Sequence, residues 1–225
     1  MQNSPNAPVS DGKGFGLGHR AHQVRLSSGL VLFTFVATHF LNHALGLISY
    51  EAMEAGRLWF VAVWRFPPLE ILLAASLVVH VVLALLKAAQ SRTFHMNPWE
   101  WAQLFLGLTI PFLLAEHVLA TRGLSLRDGM TDAYGWVLLG IWPDKAVQHG
   151  AAIVAVWAHG CIGIHFWLRL KGWYGGVAPW LLGLAVLWPT LALLGFVDGG
   201  QAVQRLAAQS GWVADFLFEI GFTGR

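Results

Sequence analysis

Six histidines stand inside apolar stretches of this chain, where a polar side chain needs a reason. Residues 38–47 read THFLNHALGL and place His39 and His43 one helical turn apart. The other four are His80, His117, His159 and His165. An ionisable side chain is costly in hydrocarbon, so an intramembrane histidine marks a functional site or is hydrogen-bonded to a neighbouring helix. For one histidine the two explanations compete evenly, but six histidines in four separate stretches favour a shared function.

Depth along the helices sorts these histidines into two levels. With a rise of about 1.5 Å per residue from the side of the N-terminus, His80 and His159 both lie about 14 Å deep. His117 lies about 28 Å deep, close to His43 at about 26 Å and farther from His39 at about 20 Å. Depth alone therefore prefers His43 as the partner of His117, and a helix that starts one turn earlier would suit His39 instead.

Two imidazoles at one depth on facing helices are the arrangement that a bis-histidine haem needs, with the iron bound from both faces of the ring. Gly160 and Gly163 remove side-chain bulk beside His159, although small residues also serve ordinary helix packing. Zinc or copper is less favoured, because either would need three or four ligands at one depth. The sequence predicts two haems b, bound by His80 with His159 and by His39 or His43 with His117.

Other polar residues near these levels are candidate contacts for a haem propionate or a quinone. Arg25 and Ser28 precede the first apolar stretch, where helix capping and anchoring at the membrane surface explain them almost as well. Glu116 adjoins His117, and its alternatives are snorkelling to the membrane surface or a hydrogen bond to another helix. His165 is about 5 Å deep, near the interface. The histidines expected in loops, with no functional signal, are His19, His22, His95 and His149.

The composition is that of a membrane protein. Of the 225 residues 56% are hydrophobic and 12% are charged, whereas soluble domains have about 25% charged residues. The only cysteine, Cys161, excludes an internal disulfide within these residues and is expected to be a packing residue. The sequence has no basic cluster that would bind nucleic acid, and neither a nucleophile–base pair nor a phosphate-binding loop supports chemistry on a soluble substrate.

The apolar stretches predict an all-α bundle of five transmembrane helices. The predicted spans are residues 26–48, 68–89, 98–120, 148–168 and 177–197. Three further segments, 50–66, 133–142 and 201–220, are expected to be interfacial helices, the last with a break at Ser210-Gly211. The resulting division is a flexible tail at 1–24, a transmembrane domain at 25–200 and an amphipathic segment at 201–225.

The distribution of Lys and Arg favours an N-terminus in the cytoplasm, because basic residues are denser in the N-terminal tail and in the short connections on the same side. Five spans then place residue 225 on the outer side. The predicted location is a cytoplasmic membrane, in contact with lipid.

Two short motifs resemble the cytochrome b anchor subunits of succinate dehydrogenases and fumarate reductases. They are RLSSGL at residues 25–30, followed by His39, and HGCIGI at residues 159–164. In the di-haem form of that family five helices hold two haems b, the first helix paired with the third histidine-bearing helix and the second with the fourth. The resemblance therefore implies His39 with His117 and His80 with His159.

A closer resemblance covers most of the chain. The stretches THFLNHALGL, SYEAMEAGR, YGWVLLGIWPD and WAHGCIGIHFWLRLKGWY are similar to the N-terminal membrane region of certain bacterial adenylate/guanylate cyclases. In that family a di-haem anchor of the fumarate reductase type precedes an iron–sulfur domain and a class III cyclase domain, which these residues do not contain. The resemblance implies a homodimeric redox or quinone-state sensor in a bacterial inner membrane that controls a fused cyclase, with a sixth helix beyond residue 225. The alternatives are a respiratory anchor subunit and a haem-free anchoring module.

Overall fold

The computed structural model describes residues 14–90 and 96–222, and every regular element in these ranges is a helix. The helices are α1 (Gly14–Ala44), α2 (Tyr50–Trp64), α3 (Pro67–Gln90), α4 (Pro98–Val118), α5 (Leu124–Asp128), α6 (Tyr134–Ile141), α7 (Ala146–Leu168), α8 (Tyr174–Ala207) and α9 (Trp212–Glu219). Five of them are long and apolar enough to cross a membrane: α1, α3, α4 with its continuation to Asp128, α7 and α8. The predicted all-α fold with five such helices is confirmed.

Local sequence signals fix several helix starts. Pro67 and Pro68 begin α3, where a missing N–H costs nothing because the first turn has no intrahelical acceptor for it. Asn97 and Glu100 form a capping box at the start of α4, with each side chain accepting from the other residue's backbone N–H. Gly211 adopts a left-handed conformation, with φ of 86°, and separates α8 from α9 at the predicted break.

The short helices gather at one end of the bundle. Because the long helices alternate in direction, the connections that hold α2, α5, α6 and α9 all return to this end, which we call the capped end. Contacts of α6 with α2 and α8, and of α9 with α8, tie these helices together. The opposite end, here the open end, has the start of α1 and the short connection at residues 169–173.

Within the described residues, the closest helix pairs are α1 with α3, α1 with α8, and α4 with α7. The α1–α8 crossing uses two glycines, since a methyl group on Gly195 would overlap the carbonyl of His43 and one on Gly46 would overlap the carbonyl of Gly195. Only residues without a Cβ let two helix backbones approach this closely.

Buried apolar side chains lie mainly around α1, α6, α7 and α8, while the outward faces of the bundle are equally apolar. Met53, Leu138 and Val203 are fully buried in the core. Phe112 on α4 and Trp180 on α8 are 81% and 78% exposed. Apolar side chains on both the inside and the outside suit a bundle surrounded by lipid.

Several predicted boundaries need correction. Residues 14–24, predicted as part of a flexible tail, form the first turns of α1, and residues 1–13 lie outside the described ranges. The predicted interfacial segment at 201–220 is two elements, because α8 continues to Ala207 before the break and α9. The predicted interfacial segment at 133–142 forms α6, whose buried residues pack into the core.

Candidate functional site

His80 of α3 and His159 of α7 face each other across the bundle. Their ring centres are 6.3 Å apart and their planes are at 85°. A metal–imidazole bond is about 2 Å long, so two imidazoles on opposite sides of one ion have ring centres about 6 Å apart. The separation of His80 and His159, which we call the open-end pair, therefore fits a single ion between them.

Backbone carbonyls orient both rings of the open-end pair. Nδ1 of His80 is 3.1 Å from the carbonyl oxygen of Arg25, and Nδ1 of His159 is 3.1 Å from that of Gln103. A carbonyl can only accept, so each Nδ1 carries the proton and each Nε2 keeps its lone pair. The amide nitrogen of Gln103, 3.4 Å from Nε2 of His159, is a donor and agrees with this tautomer. This is the form in which an imidazole binds a metal through Nε2.

A second pair lies nearer the capped end. The ring centres of His39 on α1 and His117 on α4 are 6.0 Å apart. His43 instead packs edge-on against His39 at 4.6 Å and against Tyr134 at 5.4 Å. The tertiary structure thus puts His39 opposite His117, whereas depth along the sequence preferred His43. We call His39 and His117 the capped-end pair.

The helices that contribute each pair are diagonal in the bundle. Among the described residues, α1 with α4 and α3 with α7 are not closely packed pairs, while α1 packs on α3 and α4 packs on α7. A diagonal arrangement leaves room for a flat ring between two ligands, which neighbouring helices in close contact would not. The donor set and the spacing of both pairs therefore fit bis-histidine haem.

His149 is a residue that sequence reasoning missed. It was expected in a loop, but it lies in the first turn of α7 and is 7% exposed. Its Nδ1 is 3.1 Å from the carbonyl of Lys145, and its buried Nε2 has no hydrogen-bond partner. Its ring is 6.1 Å from that of His117. The signal was already present in the predicted span 148–168, whose second residue is His149.

His39, His43, His117 and His149 form a group of neighbouring rings that we call the capped-end cluster. Some of its ring nitrogens are buried without a hydrogen-bond partner. Nδ1 of His39 and Nδ1 of His43 are buried without a hydrogen-bond partner, like Nε2 of His149. Buried polar atoms are normally paired, so each orphan indicates a missing water, ligand or shifted partner. A cavity of about 330 Å³, lined by His117, His149 and residues of α6 and α9, offers space for such a group beside His149.

The other candidate contacts fall in three places. Ser28 is buried, donates to the carbonyl of Arg25 at 3.0 Å and lies 3.5 Å from Nδ1 of His80. Glu116 lines the cavity and forms an ion pair with Lys145, which corresponds to its predicted alternative of a hydrogen bond to another helix. His165 lies at the open end, with Nδ1 2.7 Å from the hydroxyl of Tyr174.

A polar network at the capped end was not predicted. Asn42 donates to the hydroxyl of Tyr134 at 2.8 Å, and Arg65 pairs with Asp132. Burial raises the pKa of Tyr134, and burial also raises the pKa of Asp132 against the opposing effect of Arg65. These bonds join α1 to α6 and α2 to the segment before α6, and so hold the capping helices over the capped-end pair.

No protein-family model, no curated protein and no solved structure matches the chain. The features of the chain that bear on function are therefore its two histidine pairs.

Proposed function

We propose that the chain is a membrane anchor that binds two haems b. His80 and His159 would bind one haem, and His39 and His117 would bind the other. The observation that supports this proposal is the spacing of the two diagonal pairs, 6.3 Å and 6.0 Å between ring centres. Both values suit imidazoles on opposite faces of a haem iron.

The chain's own residues would bind and orient the haems and exclude water. The bound haems supply one-electron redox chemistry. The carbonyls of Arg25 and Gln103 hold the open-end rings in the tautomer whose Nε2 is unprotonated. At His159 a bound haem iron would take the place of the Gln103 amide, which lies 3.4 Å from Nε2. The two pairs lie at different heights in the bundle, so they would hold their haems one nearer the open end and one nearer the capped end.

The resemblance to cyclase anchors extends this proposal to regulation. The chain would be a redox or quinone-state sensor in a bacterial inner membrane, with a cytoplasmic N-terminus, and would control a fused adenylate cyclase domain as a homodimer. The open-end residues Arg25, Ser28 and His165, and Glu116 near the capped end, are the proposed quinone or propionate contacts. In the alternative, an anchor subunit of a succinate dehydrogenase or fumarate reductase complex, the same pairs would pass electrons to or from quinone, and flavoprotein and iron–sulfur subunits would copurify.

The test is haem quantification in purified protein expressed with a haem supply. Reduced-minus-oxidised spectra and pyridine haemochromes should give about two haems b per chain, falling to one for His80→Ala, His159→Ala or His117→Ala. The double variant His80→Ala/His117→Ala should have none. His22→Ala, exposed at the open end, is the control and should keep both. Folded wild-type protein without haem would overturn the proposal.

A further inference from the structure

Each histidine of the open-end pair lies against a glycine of the neighbouring helix. A methyl group placed on Gly29 of α1 would be 3.0 Å from Cε1 and 3.2 Å from Nδ1 of His80. One placed on Gly107 of α4 would be 2.9 Å from Cε1 and 3.3 Å from Nδ1 of His159. All four distances are shorter than an ordinary van der Waals contact, so the rings occupy the space that a side chain would fill.

Each glycine has the same position relative to the carbonyl that accepts the hydrogen bond of the ring. His80 bonds to the carbonyl of Arg25, four residues before Gly29, and His159 bonds to that of Gln103, four residues before Gly107. In a helix the carbonyl of residue i already accepts the N–H of residue i+4 and has a second lone pair to offer. At Arg25 the hydroxyl of Ser28 also donates to the carbonyl at 3.0 Å, so His80 shares that acceptor with Ser28. A ring from another helix can reach that lone pair only if the side chain at i+4 leaves room.

This arrangement occurs twice on different helices. In one case α3 packs on α1 and in the other α7 packs on α4, and these are two of the closest helix pairs among the residues described. In the capped-end cluster the buried Nδ1 atoms of His39 and His43 have no such partner. His80 and His159 therefore share a carbonyl acceptor followed four residues later by a glycine, and His39 and His43 do not.

We propose that Gly29 and Gly107 are positioning residues that let His80 and His159 donate Nδ1–H to a helix carbonyl. This inference rests on the proposed haem ligation. The hydrogen bond fixes the plane of each ring and makes the imidazole a more basic ligand. A more basic ligand stabilises the oxidised iron, so the two glycines lower the reduction potential of the open-end haem.

The test places Gly29→Ala and Gly107→Ala in a His117→Ala background, where only the open-end haem remains. The added methyl group pushes the ring away by a few tenths of an ångström and weakens its bond to the carbonyl. We expect haem to stay bound, its reduction potential to shift upward and its low-spin electron paramagnetic resonance signal to move. The matched control is Gly183→Ala in α8, where a methyl group meets nothing within 4 Å.

The same glycine variants in a His80→Ala background should leave the capped-end haem unchanged. A potential and a resonance signal equal to those of Gly183→Ala would overturn the inference while leaving haem binding intact, as would an equal shift of both haems. Absence of haem from folded wild-type protein would overturn both proposals together.

A second measurement tests the inference without the alanine variants, in case these do not fold. Nitrogen-15 spectra of histidine-labelled protein without added haem should show His80 and His159 with the proton on Nδ1. A proton on Nε2 of either ring would contradict the carbonyl bonds and overturn the inference.

Discussion

The open-end and capped-end pairs have similar ring separations but different surroundings. The rings of His80 and His159 are each held by a helix carbonyl. His39 and His117 belong to a cluster that also contains His43 and His149, with three buried ring nitrogens unpaired. Backbone geometry therefore orients the first pair, and neighbouring side chains orient the second.

The two regions also differ in what covers them. The open end has a short connection between α7 and α8, whereas at the capped end the bonds of Asn42 and Arg65 hold α6 and α2 in place and α9 packs against α8. An environment built from side chains and a cavity can change more readily than helix backbone. The comparison indicates that the capped-end site is the one whose surroundings can change, so a haem bound there would be the more responsive of the two.

The largest expected effect is the loss of one bound haem, which should occur on substitution of His39 and not of His43. His39→Ala should lose the capped-end haem completely and keep the open-end haem, because it removes an axial ligand. His43→Ala should keep both haems, since its ring packs against Tyr134 instead. Pyridine haemochrome quantification measures the ratio, and the opposite pattern would return the ligand role to His43.

A glycine substitution at the α1–α8 crossing should destabilise the capped end. In Gly195→Ala the new methyl group would overlap the carbonyl of His43, so the two backbones must separate. Such overpacking typically costs about 1–3 kcal/mol. Thermal unfolding in detergent should show a lower Tm, and haem loss should begin at the capped-end site.

Gly183→Ala is again the matched control for this variant, because its methyl group meets nothing within 4 Å. Equal unfolding temperatures for the two variants would show that the crossing tolerates a Cβ.

Loss of His149 should weaken only the capped-end haem. His149 lies beside His117 with its Nε2 unpaired, which suits it to accept a hydrogen bond from that ligand directly or through water. Removing a partner of a metal ligand costs about 10- to 100-fold in affinity. Haem titration of His149→Ala should show this loss at one site of two. A loss at the open-end site instead would mean that His149 acts through the bundle as a whole.

The smallest effect is expected from the network that holds the capping helices. Asn42→Ala removes the bond to the Tyr134 hydroxyl and should cost about 1 kcal/mol of stability. Denaturant or thermal unfolding measures it, and Tyr134→Phe should give a similar loss. If the double variant loses the sum of the two single effects, the residues do not act through their shared bond.

Much of this arrangement could be predicted because it depends on short-range patterns. The apolar stretches, the prolines at the start of α3 and α4 and the break at Gly211 are local signals, and each defines an element in the structure. Spacing along each helix also separated His80 and His159 from the deeper histidines. The choice of His39 was not predictable from depth, because the rotation of α1 about its axis decides which of the two imidazoles meets His117.

The sequence by itself determined five apolar helices, four of which carry histidines, and it separated His80 and His159 from the deeper histidines, since hydropathy and residue spacing are properties of one segment at a time. Only the tertiary structure decided that the carbonyls of Arg25 and Gln103 receive the open-end histidines, that His149 joins the capped-end cluster, and that α8 runs on to Ala207. The physical reason is that these features require two helices to meet at a particular height and rotation. That is set by side chains distant in sequence, such as the glycines that let α1 and α8 cross.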